Sequence, residues 1–336
     1  MRLLLGLAAA SVLVSLSPTL SAGLDDADLR PVPPRYLDLR YVQGPAEAGT
    51  DPRLLDTRPE ADCIASSASG AVCLPPEAFF GPHRRLASFR DIAWVLGTAG
   101  LRGDETVLVL GNDPVRRDAV SALLYLSGQS QVAVLDDPLD RQLDTGLFDR
   151  AAGRARGILR DPIHAGPWRE DRILLRDELA DALADGNIAR LLDGRTADEY
   201  WGQRIRARRG GHLPGAELAP AAELRAAFAR GEPGLDGEQP VVAYAHDPLT
   251  GLAYLTLLRA GFGLDAALYL GGWREWADDG RLPADAVSYA EPRAEPAVPT
   301  PAAPRTPMPA GQQSLLTLAA LACASGFGYL LGKRTA

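Results

Sequence analysis

The feature that most constrains the fold of this 336-residue chain is an internal duplication. Residues 54–58, with the sequence LLDTR, correspond to residues 191–195, with the sequence LLDGR. Residues 107–114 (VLVLGNDP) correspond in the same way to residues 241–248 (VVAYAHDP). Because these segments occur in the same order in both halves, we expect two copies of one domain.

Short apolar runs alternate with amphipathic stretches in both copies. Apolar runs bounded by turn residues are typical of buried parallel strands, and amphipathic stretches are typical of helices. The predicted strands are residues 54–56, 107–110, 191–193 and 241–244. The predicted helices are residues 88–97, 116–126 and 252–260. This alternation predicts an α/β fold in which each copy is a parallel sheet flanked by helices.

We assign the two copies to residues 35–150 and 171–287, with a linker at residues 151–170 that contains two prolines. Residues 288–313 follow the second copy and contain seven prolines, spaced mainly by alanine and threonine. Such a composition buries little apolar surface and favours the extended polyproline conformation. We therefore expect a semi-rigid stalk after the second copy.

Both ends of the chain carry targeting patterns. Arg2 precedes an apolar run and then small residues, which predicts a signal peptide over residues 1–22; an uncleaved anchor or a disordered terminus is the alternative. Residues 314–332 are apolar up to Lys333 and predict a transmembrane helix, with a soluble helix as the alternative. Basic residues prefer the cytoplasmic side. The protein is therefore expected to be exported and anchored with its body outside the cytoplasm, on the periplasmic side in a Gram-negative cell.

Charge and rare residue types exclude some classes of function. The net charge of −8 disfavours binding to a phosphate backbone, so we expect no nucleic-acid partner. The chain has four histidines and three cysteines, without a Cys-x-x-Cys pair. We therefore expect no metal site and no cofactor.

One segment has the arrangement of an anion site. It follows the predicted strand 241–244 and precedes the predicted helix 252–260, so backbone N–H groups and a helix N-terminus converge there. A thiol at its first position would have a lowered pKa and be reactive. The segment consists of Ala245, His246, Asp247, Pro248, Leu249, Thr250 and Gly251. Its first residue has no nucleophilic atom, and neither does Gly111 at the same place in the first copy.

The second copy carries motifs that identify a family. They are LLDGR at residues 191–195 with Glu199 and Tyr200, GHLPGA at residues 211–216, and YLGGWREW at residues 269–276. The copy resembles the rhodanese (thiosulfate sulfurtransferase) family in motif content and order. The first copy resembles the family only through Asp56 to Arg58 and lacks the histidine and tryptophan motifs.

The resemblance implies a chemistry that this sequence departs from. Active members carry a cysteine at the first loop position, which takes sulfur from thiosulfate or 3-mercaptopyruvate and passes it to an acceptor. Here Ala245 takes that place, Asp247 adds a negative charge, and Pro248 is expected to remove a backbone donor. Arg195 matches the Asp-x-Arg arginine of the family, which implies an anion contact; a structural ion pair is the alternative.

Cys63 and Cys73 lie ten residues apart in the first copy. In an oxidising compartment they are expected to form a disulfide, and two buried thiols are the alternative.

We expect a catalytically inactive binding module at the membrane, which takes a protein partner or a small anion. A sulfurtransferase with a non-standard sulfur carrier, for which Cys63 and Cys73 are the candidates, and a structural spacer are the alternatives.

Overall fold

The computed structural model of the chain describes residues 38–158, 164–188, 190–235 and 239–285. The predicted signal peptide at residues 1–22, the stalk at residues 288–313 and the transmembrane helix at residues 314–332 lie outside the described residues and stay predictions. Within the described ranges, no helix combines the length and the apolar character needed to cross a membrane.

A parallel sheet forms the centre of the first half. The strands of this half are β1 (Leu39–Val42), β2 (Arg53–Asp56), β3 (Ser67–Ala68), β4 (Val72–Cys73), β5 (Thr106–Leu110), β6 (Gln131–Leu135) and β7 (Arg150–Ala151). Five of them pair in the order β1-β6-β5-β2-β4, and β3 and β7 form a small antiparallel pair. That pair ties the first residues of the predicted linker to the first half.

Helices cover this sheet and connect its strands. They are α1 (Pro45–Ala48), α2 (Glu60–Ala65), α3 (Phe89–Thr98), α4 (Pro114–Leu126) and α5 (Leu139–Asp144). The helix α3 begins where the sequence provides an N-cap, because the Ser88 hydroxyl accepts the Asp91 N–H at 3.2 Å. Strand β5 is buried along almost its whole length, as a central parallel strand must be.

The second half repeats the same topology. Its strands are β8 (Ile173–Leu174), β9 (Leu191–Asp193), β10 (Glu217–Leu218), β11 (Val241–Tyr244) and β12 (Ala266–Tyr269). They pair in the order β10-β9-β11-β12-β8, with all neighbours parallel. When the five strands of each parallel sheet are numbered in chain order, both sheets have the order third, second, fourth, fifth, first. The predicted α/β fold with parallel sheets flanked by helices is confirmed.

The helices of the second half are α6 (Arg176–Ala184), α7 (Ala197–Tyr200), α8 (Ala221–Ala229), α9 (Pro248–Thr256) and α10 (Gly272–Asp278). A π-helical turn, Leu257–Gly261, continues α9. The predicted start of this helix at residue 252 was wrong by four residues. Asp247 is an N-cap and Pro248 occupies the first helical position, which is the pairing that starts a helix.

The two halves share one core. Helix α4 packs against α9, and residues of both helices belong to a single apolar cluster, among them Leu123 and Leu255. A buried acid joins the halves beside this cluster: Asp118 accepts the Tyr41 hydroxyl at 2.6 Å and pairs with Arg117 and, across the interface, with Arg225. The Thr256 hydroxyl donates to the Asp118 carbonyl at 2.8 Å, which adds a second polar link between the halves.

Candidate functional site

The candidate site lies at the end of β11, where the chain turns into α9. The Oδ1 atom of Asp247 accepts hydrogen bonds from the Thr250 N–H and from the Thr250 hydroxyl, both at 3.0 Å. The Asp247 N–H in turn donates to the Thr250 hydroxyl oxygen at 3.2 Å. The N-terminus of α9 therefore already holds a carboxylate, at the place where a bound anion would accept the same N–H group.

The first half carries the same cap. Asp113 precedes α4, and its Oδ1 atom accepts the Val115 N–H at 2.8 Å and the Arg116 N–H at 3.3 Å. Pro114 is the first residue of that helix. In both halves the chain supplies its own negative group to the helix N-terminus.

Pro248 has no backbone N–H, so the N-terminus of α9 offers an anion one donor fewer than it would with another residue at this position. Pro248 is the first residue of α9. The first N–H groups of a helix have no intrahelical acceptor, so proline is well tolerated there. The segment predicted as a loop over residues 245–251 is therefore a turn of three residues followed by the first turn of a helix, which contains Leu249, Thr250 and Gly251.

Neither first loop position carries a reactive side chain, and in the first half there is no space for one. Ala245 is buried and its carbonyl accepts the Trp273 N–H at 2.8 Å. In the first half, a Cβ atom on Gly111 would lie 2.3 Å from the Thr57 hydroxyl oxygen, which is closer than such atoms approach. That hydroxyl donates to the Leu110 carbonyl at 2.9 Å and is held in place.

Arg195 is engaged inside the second half. Its Nη2 atom lies 2.6 Å from Asp193 Oδ2 and 2.8 Å from the Gly211 carbonyl oxygen, and its guanidinium lies over the Trp273 ring. Burial alone would lower the pKa of Arg195, but the hydrogen bonds and charge of Asp193 outweigh it and raise the pKa. The sequence left two roles open for Arg195, an anion contact and a structural ion pair. In the structure Arg195 forms the buried ion pair with Asp193.

The first half contains the matching pair. Arg58 Nη2 lies 2.7 Å from Asp56 Oδ2, and the same nitrogen donates to the Ser66 carbonyl. In each half the pair thus joins the end of a strand to the loop that precedes the next strand. The duplication extends from the sequence motifs to the individual hydrogen bonds.

His246 lies in a second polar cluster behind the loop. Its Nδ1 atom is 3.5 Å from Glu199 Oε1, and the same oxygen accepts from Arg206 at 3.2 Å. Burial lowers the pKa of His246, and the charge of Arg206 lowers it further, against the opposing charges of Glu199 and Asp247. Because Asp247 is committed to the helix cap, it does not form an acid/base pair with His246.

The other motif residues of the second half serve packing. The His212 ring stacks on the Tyr200 ring with centroids 3.6 Å apart, and His212 Nδ1 lies 3.0 Å from the Tyr200 carbonyl oxygen. Trp273 and Trp276 are buried, and their indole N–H groups donate to backbone carbonyls. These residues hold the loops around the site in place through stacking and hydrogen bonds to the backbone.

Cys63 and Cys73 form a disulfide in the structure. Both residues are fully buried, and Gly153 packs against the bridge so closely that a Cβ atom there would lie 2.5 Å from the Cys63 sulfur. Within the described residues, no three acidic, histidine or cysteine side chains are grouped as a metal site.

Sequence reasoning missed a cleft between the two halves. It has a volume of about 740 Å³ and is lined by residues 83–86 of the first half and by the starts of α6, α9 and α10 in the second. Arg84, Arg85 and Arg274 contribute to its lining. No local pattern points to this cleft, because its residues come from four separate stretches. The neighbouring arginines at 84–85 mark only one of these stretches.

The comparisons with known proteins agree with this geometry. Residues 175–279 match the family model of the rhodanese-like domain. No curated protein matches the chain.

Solved structures extend the likeness beyond those residues. The crystal structure of a probable thiosulfate sulfurtransferase is similar with a TM-score of 0.52 and 23% identity, covering 70% of this chain and 98% of that one. YnjE is similar with a TM-score of 0.60 and 20% identity, covering 76% and 70%. Wild-type EanB is similar with a TM-score of 0.56 and 18% identity, covering 76% and 66%. At these identities the structural likenesses establish the fold alone. The match over residues 175–279, together with the sequence motifs there, identifies this part of the chain as a rhodanese-like domain.

Proposed function

We propose that this protein is a catalytically inactive member of the rhodanese family that acts as a binding module. The observation that carries the proposal is the pair of first loop positions, Ala245 and Gly111, which have no nucleophilic atom. Persulfide transfer requires a nucleophile that can hold the sulfur. The self-capped helix N-termini at Asp247 and Asp113 support the same conclusion, since each places a carboxylate where thiosulfate would be bound.

The alternative, a sulfurtransferase with a non-standard carrier, receives no support from the described cysteines. Cys63 and Cys73 are bonded to each other and fully buried in the first half. A sulfur carrier must present a thiolate to substrate. The bridge therefore serves stability in this proposal.

We propose further that both halves are rhodanese-like, in tandem. Three observations support the first half as a degenerate copy: the shared strand order, the matching pairs Asp56–Arg58 and Asp193–Arg195, and the matching caps. The solved structures also cover 70% or more of the chain in the examples above, which exceeds the length of one half.

The cellular setting is proposed from the sequence. The chain is exported and anchored by its C-terminal helix, so the module stands outside the cytoplasm, on the periplasmic side in a Gram-negative cell. There it binds a protein partner or a small anion. A module on a stalk reaches partners at a distance from the membrane surface.

The test is an assay for sulfur transfer from thiosulfate to cyanide, with the full chain in its oxidised and reduced forms. We expect no turnover above buffer in either form. Turnover by the wild-type chain that the variant Cys63→Ala/Cys73→Ala loses would identify a non-standard carrier. Turnover that survives the double substitution would also overturn the proposal, because it would require another nucleophile.

A further inference from the structure

One surface loop of the second half, residues 203–209, is closed at its neck. A Cβ atom on Gly210 would lie 3.0 Å from the Cα atom of Gly202, so the two ends of the loop touch. Gly202 has a φ angle of 71°, in the left-handed region that favours glycine. Compact surface loops whose ends meet in this way frequently carry function.

Contacts at both ends hold this loop in place. At its start, the Arg204 N–H donates to the Asp198 carbonyl at 2.9 Å. At its end, the Arg209 guanidinium donates to the Trp276 and Asp279 carbonyls at 3.3 and 3.1 Å. The loop is therefore held against the end of α10, while the residues in its middle face solvent.

The loop carries four positive charges and no carboxylate. Its sequence is QRIRARR, in a chain whose net charge is −8. Arg206 pairs with Glu199 at 3.2 Å. Arg204 and Arg208 are exposed and have no ion-pair partner among the residues that the structure describes. Two cations of the loop are thus available to an external partner.

The surroundings of the loop do not cancel this charge. In the described part of the chain, the acidic residues that hydrogen-bond or pair with the loop are Asp198, Glu199 and Asp279. Asp279 is itself paired with Arg281 at 2.8 Å. Together with Arg281, the four arginines of the loop make five cations against three carboxylates, so positive charge is in excess by two.

An apolar side chain projects between the arginines. Ile205 is 60% exposed. A projecting loop is convex, whereas sites for small molecules are concave. Arginines beside an exposed apolar side chain are typical of surfaces that bind anionic membranes, where the cations contact phosphate groups and the apolar group enters the boundary of the acyl chains.

The described part of the second half ends beside this loop. Its last residue, Asp285, pairs with His212, which follows Arg209 by three residues. The Asp285 N–H donates to the His212 carbonyl at 3.0 Å, and the His212 N–H donates to the Asp285 carbonyl at 3.2 Å. The chain continues from there into the predicted stalk, residues 288–313, and the predicted transmembrane helix. A tether that leaves the body beside the loop keeps a bilayer within its reach and raises the effective concentration of that bilayer.

We propose that residues 203–209 form a membrane-docking loop, which binds an anionic phospholipid surface through Arg204 and Arg208 and inserts Ile205 among the lipids. The inference rests on the membrane anchoring proposed above and names the partner of this surface. The tether favours a bilayer over a soluble acidic protein as that partner. The body then has two positions, one docked on the membrane and one held away from it by the stalk.

The test uses the full chain with an environment-sensitive NBD label, attached through Gln203→Cys in a Cys323→Ser background. Cys63 and Cys73 are bonded to each other and do not take the label. The chain is reconstituted in vesicles of phosphatidylcholine alone or of an equimolar mixture with phosphatidylglycerol. We expect a blue shift of the NBD emission only with phosphatidylglycerol, and its loss in about 1 M salt, where charges interact over about 3 Å.

The variant Arg204→Gln/Arg208→Gln should dock at least about tenfold more weakly, because two contacts with the anionic surface are lost. The measured quantity is the docking equilibrium constant, taken from the fraction of the full NBD shift. The matched control is Arg53→Gln/Arg90→Gln, which removes the same charge at exposed positions of the first half and should leave docking unchanged.

The variant Ile205→Ser should also weaken docking. Its control is Ile64→Ser, at a residue of the first half that is 43% exposed, and this variant should dock like the wild type. The inference is overturned if no blue shift appears, if it appears equally in phosphatidylcholine alone, if it persists in high salt, or if the control variants weaken it equally. A blue shift produced by soluble polyglutamate and not by phosphatidylglycerol would also overturn it, in favour of an acidic protein partner.

Extraction with alkaline carbonate tests the anchor separately. A chain released by this treatment has lost the proposed anchor, and its loop is then tested with the same vesicles added from outside. Sulfur transfer is a further independent measurement. A docking loop in a chain that turns over thiosulfate would retain this inference and lose the proposed inactivity, and an inactive chain without docking would do the opposite.

Discussion

The Oδ1 atom of Asp247 lies 3.0 Å from the backbone nitrogen of Thr250, so a carboxylate of the chain occupies the N-terminus of α9. Helix N-termini bind anions because their N–H groups lack intrahelical acceptors. Asp247 therefore competes with any external anion for the same donor. The missing cysteine is one of two obstacles to catalysis at this site.

This relationship predicts how a cysteine would behave at position 245. The variant Ala245→Cys should remain poor at sulfur transfer, because two negative charges about 4 Å apart repel by about 4 kcal/mol at an effective dielectric of 20. Adding Asp247→Gly should raise thiosulfate turnover and the rate of alkylation by iodoacetamide at pH 7 at least about tenfold, which corresponds to about 1.4 kcal/mol. Glycine is also accepted at an N-cap, so the helix should persist. Ala245→Cys/Asp113→Gly is the control, and equal rates for the two double variants would contradict the argument.

The buried acid between the halves should be essential for stability. Asp118 is fully buried and forms ion pairs with both Arg117 and Arg225. The substitution Asp118→Ala leaves two cations near a buried position, and breaking such a pair typically costs about 3–5 kcal/mol. Urea unfolding followed by tryptophan fluorescence measures the loss. The control is Asp144→Ala, which removes an exposed partner of Arg150 and should change the free energy of unfolding by less than about 1 kcal/mol. A similar loss of unfolding free energy in both variants would contradict the prediction.

Stability should fall in mildly acidic solution through His246. The pKa of this buried side chain is below its ordinary value of 6.5, because burial and Arg206 disfavour the charged form. The unfolded chain therefore takes up the proton first, so the His246 contribution is complete above pH 6.5 and is lost as the pH falls through the lowered pKa of the folded state.

The measurement is the free energy of unfolding between pH 8 and about 5, the range in which histidine titrates. His246→Gln should show a shallower decline than the wild type. The pH dependence that remains in this variant includes the contribution of His164, whose pKa is also lowered by burial. His83→Gln, at an exposed position, should follow the wild-type curve. A His246→Gln curve that parallels the wild type would mean that this side chain is not proton-linked to folding.

The disulfide should stabilise the first half. Cys63 and Cys73 are ten residues apart, and closing so short a loop restricts the unfolded chain by about 2–3 kcal/mol. The variant Cys63→Ala/Cys73→Ala should lose at least this amount under oxidising conditions. A reductant should destabilise the wild type and leave the variant unchanged. Thiol titration first confirms that the reductant has opened the bond. If the wild type is then as stable with the reductant as without it, the prediction is wrong.

The four strands predicted from the sequence, β2, β5, β9 and β11, are present, because their apolar runs are short and end at turn residues. The other strands of the two sheets were not predicted. The bounds predicted for β9 and β11 are those of the structure. The start of α9 was missed because Pro248 was interpreted as a loop residue, although proline at the first helical position satisfies the geometry of a helix start. The small pair β3 and β7 has two residues per strand and carries no periodicity that a sequence could reveal.

The site was less predictable, for a different reason. Arg195 could reach an anion or a carboxylate of its own domain, and only the three-dimensional position of Asp193 distinguishes the two. The cleft depends on how the halves pack, so Arg85 and Arg274, which are far apart in sequence, gave no common signal. Local patterns identify elements, whereas contacts between elements require the packed structure.

The shared core has a consequence for how the two halves change over evolutionary time. Residues of α4 and α9 belong to one apolar cluster, so a surface of the first half is part of the interior of the second. A half that loses its sequence motifs is then still retained for its apolar face, since deleting it would expose to water the face of α9 that packs against α4. We therefore expect the loops to diverge while the interface stays constant. Gly111 in the loop and Leu123 in the interface, 12 residues apart, are positions where these two tendencies should be seen.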